Sequence, residues 1–392
     1  MIKRKVLIVI HQLNIGGAQK ALISALNAID YTENDVILYV RKNRLDLLPF
    51  VNKNVSKIIV NNDNNKYYRK PYSAFLLLKL NLLKALGKDT SNIQKKLNKY
   101  IIDLQMKYER EHYFSENIKY DIVVSYIQNH TAKFVAENID AKRKIMFYHN
   151  STDGYHEINA DAMKYYEKIY SVSKCALEAV SKFYPEFSDK MDYIENYVDF
   201  KAIRNKAEEC NPDYPKNKLI LCTCGRITPE KGYDLAVETA EILKENNIDF
   251  KWYFVGDGSE RAKIEELIAS KKLNDNIVIT GLKENPYPYM KKCDIYVQPS
   301  YEEAHPLSII EAQMLCKVVV STATAGGKSI ITDEKNGIIA EINPESLAEK
   351  IQYILENKEL RDTIRKNLCK KDYSNIYQVF CEKWKEVLNN KN

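Results

Sequence analysis

Leu219-Ile220-Leu221-Cys222, followed by Gly225-Arg226-Ile227-Thr228-Pro229-Glu230-Lys231-Gly232, is the stretch that decides the fold. The apolar run reads as a buried strand, and the glycine-bounded segment reads as a turn carrying two cations. Leu235, Ala236, Thr239, Ala240 and Leu243 then recur at helical spacing. Strand, glycine turn and helix in that order seat a diphosphate well, because free N–H groups at the start of a helix point at the anion. Arg226 adds a planar fork of donors and Lys231 a point charge.

Downstream lies Tyr301-Glu302-Glu303-Ala304-His305-Pro306-Leu307-Ser308-Ile309-Ile310-Glu311-Ala312. Pro306 reads as the first residue of a helix, where its missing N–H costs nothing. Glu303 then precedes the helix and Glu311 lies inside it, roughly 7 Å along the axis from its start. Two acids so placed can grip two parts of one polyhydroxylated ligand. The N–H groups of Leu307 and Ser308, at the positive end of the helix dipole, can hold a phosphate between them. By itself such a pair also describes one solvated loop acid and one surface helix acid. The cationic turn upstream shifts the reading towards a nucleotide-sugar site.

The same rhythm runs through the whole chain. Strands are expected at Val6 to Ile10, Val36 to Val40, Lys57 to Val60, Ile122 to Ser125, Lys144 to Tyr148, Lys168 to Val172 and Asp192 to Glu195. Further strands are expected near 219–222, 251–255, 276–280, 294–297 and 317–320. Alternation with helical patterns marks parallel sheets. With 392 residues the chain fits two domains. Polar residues 201–217, with Pro212 and Pro215, read as the linker between them. Ile376, Val379, Phe380, Trp384, Val387 and Leu388 predict an amphipathic terminal helix.

A hydrophobic fraction of 45% is ordinary for a globular protein, and a net charge of +6 favours an anionic partner without naming one. The eight cysteines show no paired framework, so a reduced, cytoplasmic chain is expected. Cys222 and Cys224 project to one face of a strand and read as core packing. No His or Cys cluster has zinc spacing, and no apolar run reaches the ~20 residues of a membrane span. Val6 to Ile10 leads into a glycine turn without a cleavage site and reads as a strand, not a signal peptide.

Taken together, these motifs resemble the retaining glycosyltransferases of family four, as found in bacterial capsular and exopolysaccharide synthesis. The resemblance also takes in Gly16-Gly17-Ala18, Tyr148-His149-Asn150, Ile194-Glu195-Asn196-Tyr197-Val198-Asp199, Val255-Gly256-Asp257-Gly258, Asp294 to Ser300 and Asn336-Gly337. It implies an α/β protein with two Rossmann-like doubly wound domains facing across a cleft, the GT-B architecture, and a C-terminal crossover helix. Residues 1–200 would be the acceptor-binding domain, 218–372 the nucleotide-sugar domain and 373–392 the crossover helix. The implied reaction moves a sugar, with retention, from a nucleoside diphosphate to an acceptor hydroxyl. Arg226, Lys231, Glu303 and His149 would carry catalysis. Gly225, Arg226, Lys231, Gly256, Glu303, Pro306, Leu307, Ser308 and Glu311 would hold the donor. Glu311 would take the ribose and Glu303 the transferred sugar, while Gly16 and Gly17 would form an acceptor or phosphate loop. His11, also at a strand end, is a weaker candidate.

No cofactor is implied beyond the co-substrate, with a uridine diphosphate sugar favoured over a guanosine one. No Asp-x-Asp triplet occurs, which fits metal-independent chemistry. Ala304-His305 stands where the family often has Gly-Phe, so the sugar itself stays open. Tyr197 replaces a glycine of the family's turn, which leaves Asn196 outside the expected site.

Residues 66–112 form a basic, helical interruption of the rhythm. Lys66, Arg69, Lys70, Lys79, Lys84 and Lys88 occur without an acid between 66 and 88, beside Tyr67, Tyr68 and Tyr72. Phe75, Leu76, Leu78, Leu82, Leu83 and Leu86 are expected on one apolar side, with Ser73, Asn81, Lys84 and Lys88 opposite. This fits either a helix packed on the sheet or one lying on an anionic membrane at its cytoplasmic face. The expected partners are therefore a nucleotide-sugar donor, a glycan or lipid-linked acceptor and a membrane surface. Nucleic acid is not expected, because no basic aromatic groove is evident. An oxidoreductase reading fails on spacing, since Gly16-Gly17-Ala18-Gln19 is not Gly-x-Gly-x-x-Gly. The alternative that survives is a non-catalytic sugar-binding or membrane-scaffold protein of the same fold.

Overall fold

The computed structural model describes residues 2–62, 71–86, 89–115, 118–150 and 156–389. The chain divides into two compact units. The first comprises Met1–Ser171, Val180–Tyr193 and Lys383–Asn392, and the second Val172–Ala179 and Ile194–Glu382.

The first stretch of chain alternates β1 (Arg4–Ile10), α1 (Gly17–Ala28), β2 (Asn34–Val40), β3 (Lys57–Val60), α2 (Pro71–Ala85), α3 (Ser91–Tyr113) and β4 (Tyr120–Ser125). It continues through α4 (His130–Asn138), β5 (Ala141–Tyr148), α5 (His156–Met163), β6 (Lys168–Ser171), α6 (Lys174–Phe183) and β7 (Met191–Tyr193). These strands form one parallel seven-stranded sheet in the order β3-β2-β1-β4-β5-β6-β7. Val6, Leu7, Ile8, Val9 and Ile10 are fully buried. A central parallel strand is covered by helices on both faces, so its sequence reads as a continuous apolar run.

After β7 come α7 (Phe200–Lys206), β8 (Leu219–Cys224), α8 (Tyr233–Glu245), β9 (Phe250–Val255), α9 (Arg261–Ser270), β10 (Ile277–Gly281) and α10 (Tyr287–Lys292). Then follow β11 (Ile295–Gln298), α11 (Leu307–Met314), β12 (Val318–Thr322), α12 (Ala325–Ile330), β13 (Ile338–Ala340), α13 (Pro344–Glu356), α14 (Lys358–Lys370) and α15 (Ser374–Asn389). The second sheet is parallel and six-stranded, in the order β10-β9-β8-β11-β12-β13. In each sheet the winding reverses once, between β1 and β4 and between β8 and β11. Open parallel sheets bind ligands beyond the strand C-termini at such a reversal.

The expected architecture of two doubly wound α/β units is borne out. Several details differ from the sequence reading. Residues 201–217, read as a linker, open with α7, whose Ile203 packs with Ala207 in the second unit's core. Apolar residues at 203 and 207 are one helical turn apart, a signal that Pro212 and Pro215 outweighed. The expectation of unpaired cysteines is corrected by a disulfide between Cys316 and Cys369, with 5.3 Å between Cα atoms. Its halves are 53 residues apart, so local spacing could not show it. Cys222 and Cys224 do share a buried face, with sulfurs 3.5 Å apart. Burial pushes the Cys222 thiol well above its ordinary pKa.

Residues of α15 divide between the two units. Within the first, Trp384 stacks on Phe147 and Tyr126, and Arg4 donates to the Leu388 carbonyl at 2.8 Å. Within the second, Tyr377 and Phe380 pack on Tyr197. Tyr197 is not among the described residues with positive φ. The turn therefore does not need glycine, and the ring serves as packing surface for α15.

The basic segment is corrected in one respect. α2 pairs with α3 through Leu76, Leu80, Leu97 and Ile101. Its apolar residues therefore split into two faces, and Ser73, expected in water, is buried. Lys66, Tyr67, Tyr68, Arg69, Lys70 and Lys88 lie outside the described residues. Among the described residues no helix is long and apolar enough to cross a membrane.

Candidate functional site

The decisive turn follows β8. Gly225 N–H still donates to Val255 at 3.1 Å, extending the ladder past the strand end, while the Tyr233 hydroxyl donates to the Gly225 carbonyl at 3.0 Å. Gly256, after β9, lies directly against this turn. A Cβ there would sit 1.8 Å from the Gly225 carbonyl oxygen, so glycine permits the backbone contact. Pro229–Lys231 form one 3-10 turn, which Gly232 ends at φ 63 and ψ 35. A Cβ at Gly232 would lie 2.1 Å from the Pro299 carbonyl oxygen. The absence of a side chain lets the β8 turn close on the loop that follows β11.

These two loops are joined where the sheet order reverses. Tyr301 N–H donates to the Glu230 carbonyl at 2.9 Å. The Lys231 ammonium meets Glu303 Oε1 at 2.7 Å. Gln298 Nε2 and Ser300 Oγ donate to the same oxygen, each at 2.9 Å. Gln298 is itself oriented, because its Oε1 accepts from Ser308 at 2.9 Å and Tyr296 at 3.1 Å. Glu303 is only 8% exposed, and these three donors offset the cost of burying a carboxylate. Gly326 N–H holds the Glu303 carbonyl at 2.9 Å, and Ser173 Oγ holds the Ala304 carbonyl at 2.9 Å.

Arg226 is exposed on the β8 turn. Burial pushes the neighbouring Glu230 carboxyl upward, but the Thr228 hydroxyl, a backbone N–H and the charges of Arg226 and Lys231 together hold it below its ordinary value. Pro306 is the N-cap of α11, with ψ 94, and Leu307 is the first helical residue. This is one position later than the sequence suggested. No acid occupies the first turn of α11, so its positive end is not neutralised by its own side chains. Glu311 lies one turn further on, 3% exposed, and accepts from the Tyr287 hydroxyl at 2.9 Å.

The second unit thus assembles Gly225, Lys231, Gly256, Glu303, Pro306, Leu307 and Ser308 into adjoining loops, with Arg226 on the rim and Glu311 on the helix behind. Sequence reasoning missed Tyr296, Gln298 and Ser300 as site residues. Their alternation at the end of β11 was a usable signal, since every second residue of a strand faces one side. His305 was noted only as a departure. Both its ring nitrogens are buried without a partner, and burial lowers its pKa to about 4.

Gly16, Gly17, His11 and His149 lie in the first unit. Gly16 is the N-cap of α1 and Gly17 its first residue, again with no acid in the first turn. His149 follows β5, and its backbone N–H donates to Gln128 at 3.2 Å. Burial lowers the His149 pKa to about 4, against a hydrogen bond with the Tyr126 backbone that raises it. The ring is neutral at pH 7, and its Nε2 is buried without a partner. His11 is lowered to about 3 by burial, then by Lys42, Arg41, His130 and Arg44. Among the described residues no group of three or more His, Cys, Asp or Glu could hold a metal ion.

Two parallel doubly wound units make up the fold, which is that of GT-B structures. Residues 206–371 match the family of glycosyl transferases group 1, so the resemblance read from the motifs is borne out over that stretch. The chain is 33% identical over 146 residues to an uncharacterized glycosyltransferase of Methanocaldococcus jannaschii, covering 36% of this chain and 40% of that protein. It is 30% identical over 184 residues to a poly(ribitol-phosphate) alpha-N-acetylglucosaminyltransferase of Staphylococcus aureus, covering 45% of this chain and 37% of that protein. The matched stretch thus spans well under half the length of either relative. Anabaena HepE, solved in complex with UDP-glucose, shares the fold at a TM-score of 0.71 and 14% identity, over 98% of this chain and 99% of that one.

Proposed function

We propose that this protein transfers a sugar from a nucleoside diphosphate to an acceptor hydroxyl, with retention at the anomeric carbon, in synthesis of a bacterial surface polysaccharide or glycolipid. One observation carries the reading: Lys231 and Glu303 meet at 2.7 Å beyond the C-termini of β8 and β11, beside the uncapped start of α11. As the sugar–phosphate bond breaks, charge builds on the departing diphosphate. A fixed ammonium and helix N–H groups stabilise that charge more than the ground state. Lys231 takes this role, with Arg226 at the rim, so the side chains supply the neutralisation without a resident metal. Glu303, held by Lys231, Gln298 and Ser300, presents its carboxylate to hydroxyls of the transferred sugar. Glu311 takes the ribose. His149 serves the acceptor side as a neutral imidazole.

A uridine nucleotide is the favoured donor. The complex of HepE with UDP-glucose supports this choice through shared fold alone. The Staphylococcus aureus relative, named for a poly(ribitol-phosphate) acceptor, supports a surface-polymer product. The test is a melting-temperature screen with uridine, guanosine and adenosine diphosphate sugars, followed by measurement of diphosphate release with an acceptor. A ligand that binds only the folded state raises the melting temperature. Stabilisation by one nucleotide class, lost in Lys231→Ala, is the expected result. No stabilisation by any of them, with the chain folded, overturns the proposal.

A further inference from the structure

We infer that Cys316 and Cys369 are a site of thiol–disulfide exchange, opened by a low-molecular-weight thiol, and that opening it weakens donor binding. The coupling rests on the reading of α11 as the seat of the donor diphosphate. The two cysteines tie the end of α11 to α14, with Cα atoms 5.3 Å apart, while the six other cysteines are free. Where nucleotide sugars are used, thiol pools keep most cysteines reduced, and the disulfides that form there are mainly exchanging ones. Cys369 is exposed and Cys316 half-buried, so a small thiol can reach the bond. Cations surround it. Arg204 Nη2 lies 3.9 Å from Cys316 Sγ. Lys317 follows Cys316 directly, and Arg365 lies one turn before Cys369 on α14. Reactive cysteines occupy such partly exposed, cationic surroundings, because the thiolate is the species that reacts.

The exchange runs in two steps. A thiolate of the external thiol attacks Sγ of exposed Cys369. The S–S bond breaks, and its electron pair leaves with Cys316 Sγ beside the Arg204 guanidinium. A second external thiolate then attacks the mixed disulfide and frees Cys369. Two external thiols become one external disulfide, and their two protons end on the protein thiols. The effect reaches the donor site along α11. Cys316 follows that helix at φ 58, a left-handed conformation that favours glycine. Left-handed strain at a residue with a side chain biases a free turn towards relaxation by roughly tenfold. The bond to Cys369 holds the turn against that bias. Helix α11 has only 8 residues, with Leu307 and Ser308 at its start and buried Glu311 between them and the cysteine. Movement at one end therefore displaces the other. Gln313 still donates to the Asn336 carbonyl at 3.0 Å, so reduction loosens the helix without unfolding it.

The test equilibrates the full chain in a series of reduced and oxidised glutathione, then alkylates the free thiols and identifies them by mass spectrometry. Cys316 and Cys369 should open and close together, reversibly. Calorimetry with uridine diphosphate, below the melting temperature of both forms, should show binding about three- to tenfold weaker after reduction, because a binding-competent state that is only partly populated lowers apparent affinity in proportion. Cys369→Ser alters an exposed residue and should bind like the reduced chain at every thiol ratio. Arg204→Met should slow reduction, because the departing thiolate loses its cation. A pair that stays closed throughout the series overturns the inference. So does a pair whose opening, and whose removal in Cys369→Ser, leaves affinity unchanged, because the disulfide is then structural only. Absence of binding by both forms overturns the donor reading itself, and the coupling falls with it.

Discussion

Removing the ammonium of Lys231 should cost both fold stability and diphosphate affinity, in proportions the structure sets. At 2.7 Å and an effective dielectric near 20, the attraction to Glu303 is about 6 kcal/mol before desolvation is counted. Desolvation takes back much of that, because Glu303 is 8% exposed and the Lys231 side chain 23%. Lys231→Met leaves Glu303 with Gln298 and Ser300 as donors, so a loss of about 2 to 3 kcal/mol is expected. Glu303→Gln removes the charge but keeps an acceptor, and should cost less. The double variant should recover part of the sum, giving a coupling energy of about 1 to 3 kcal/mol. Urea unfolding in a Trp384→Phe background isolates Trp252, which lies fully buried in the second unit. Calorimetry with uridine diphosphate supplies the second readout. Lys231→Met should weaken binding at least about tenfold, the value of one charge-assisted contact. Glu303→Gln should keep or tighten it, because the ammonium is released from an intramolecular competitor. A coupling energy below about 0.5 kcal/mol, within the range of independent sites, refutes the claim that the two side chains act as a pair.

Three further outcomes are expected. Gly232→Ala meets the Pro299 carbonyl at 2.1 Å in a left-handed conformation; left-handed strain of about 1 to 2 kcal/mol adds to the displacement, so stability and nucleotide binding should fall together, and an unchanged melting temperature refutes the close approach. Cys316→Ser opens a link closing a separation of 53 residues and should cost about 4 kcal/mol on the chain-entropy account; unfolding that is indifferent to reductant and to the substitution argues against the disulfide. Stability should fall with acidification between about pH 6.5 and 4. His149 and His305 stay neutral in the fold with pKa lowered to about 4, while the unfolded chain binds protons from about 6.5 downward, worth on the order of 3 kcal/mol for each ring. The share of these two rings should level off below pH 4, while that of His11, lowered to about 3, continues to about pH 3; His305→Phe should remove its share, and a flat profile from pH 7 to 4 contradicts neutral burial.

The strands at Val6–Ile10 and Leu219–Cys224 were legible because central parallel strands need apolar residues on both faces. The β8 turn was legible because glycine and proline punctuate the chain by steric rules that act within a few residues. Helix α3 was less so: Glu109, fully buried, pairs with Arg41 at 2.8 Å, and no periodicity predicts a buried ion pair. Half the α2 pattern was misassigned for the same reason, since a single apolar stripe cannot say whether α3 covers it.

By itself the sequence determined the alternation of strand and helix, the turns that end β8 and start α11, and the residue types able to bind a sugar diphosphate. These follow from hydrophobic periodicity and backbone sterics, which are local. Only the tertiary structure decided that Lys231 reaches Glu303, 72 positions away, with Gln298 and Ser300 on the same oxygen. It also decided that Cys316 meets Cys369, and that Leu76 and Leu80 of α2 are buried while Leu78, Leu82 and Leu86 stay exposed. Those outcomes depend on which strands become neighbours and on what packs against each helix face, and contacts of that range are set by the shape of the folded chain.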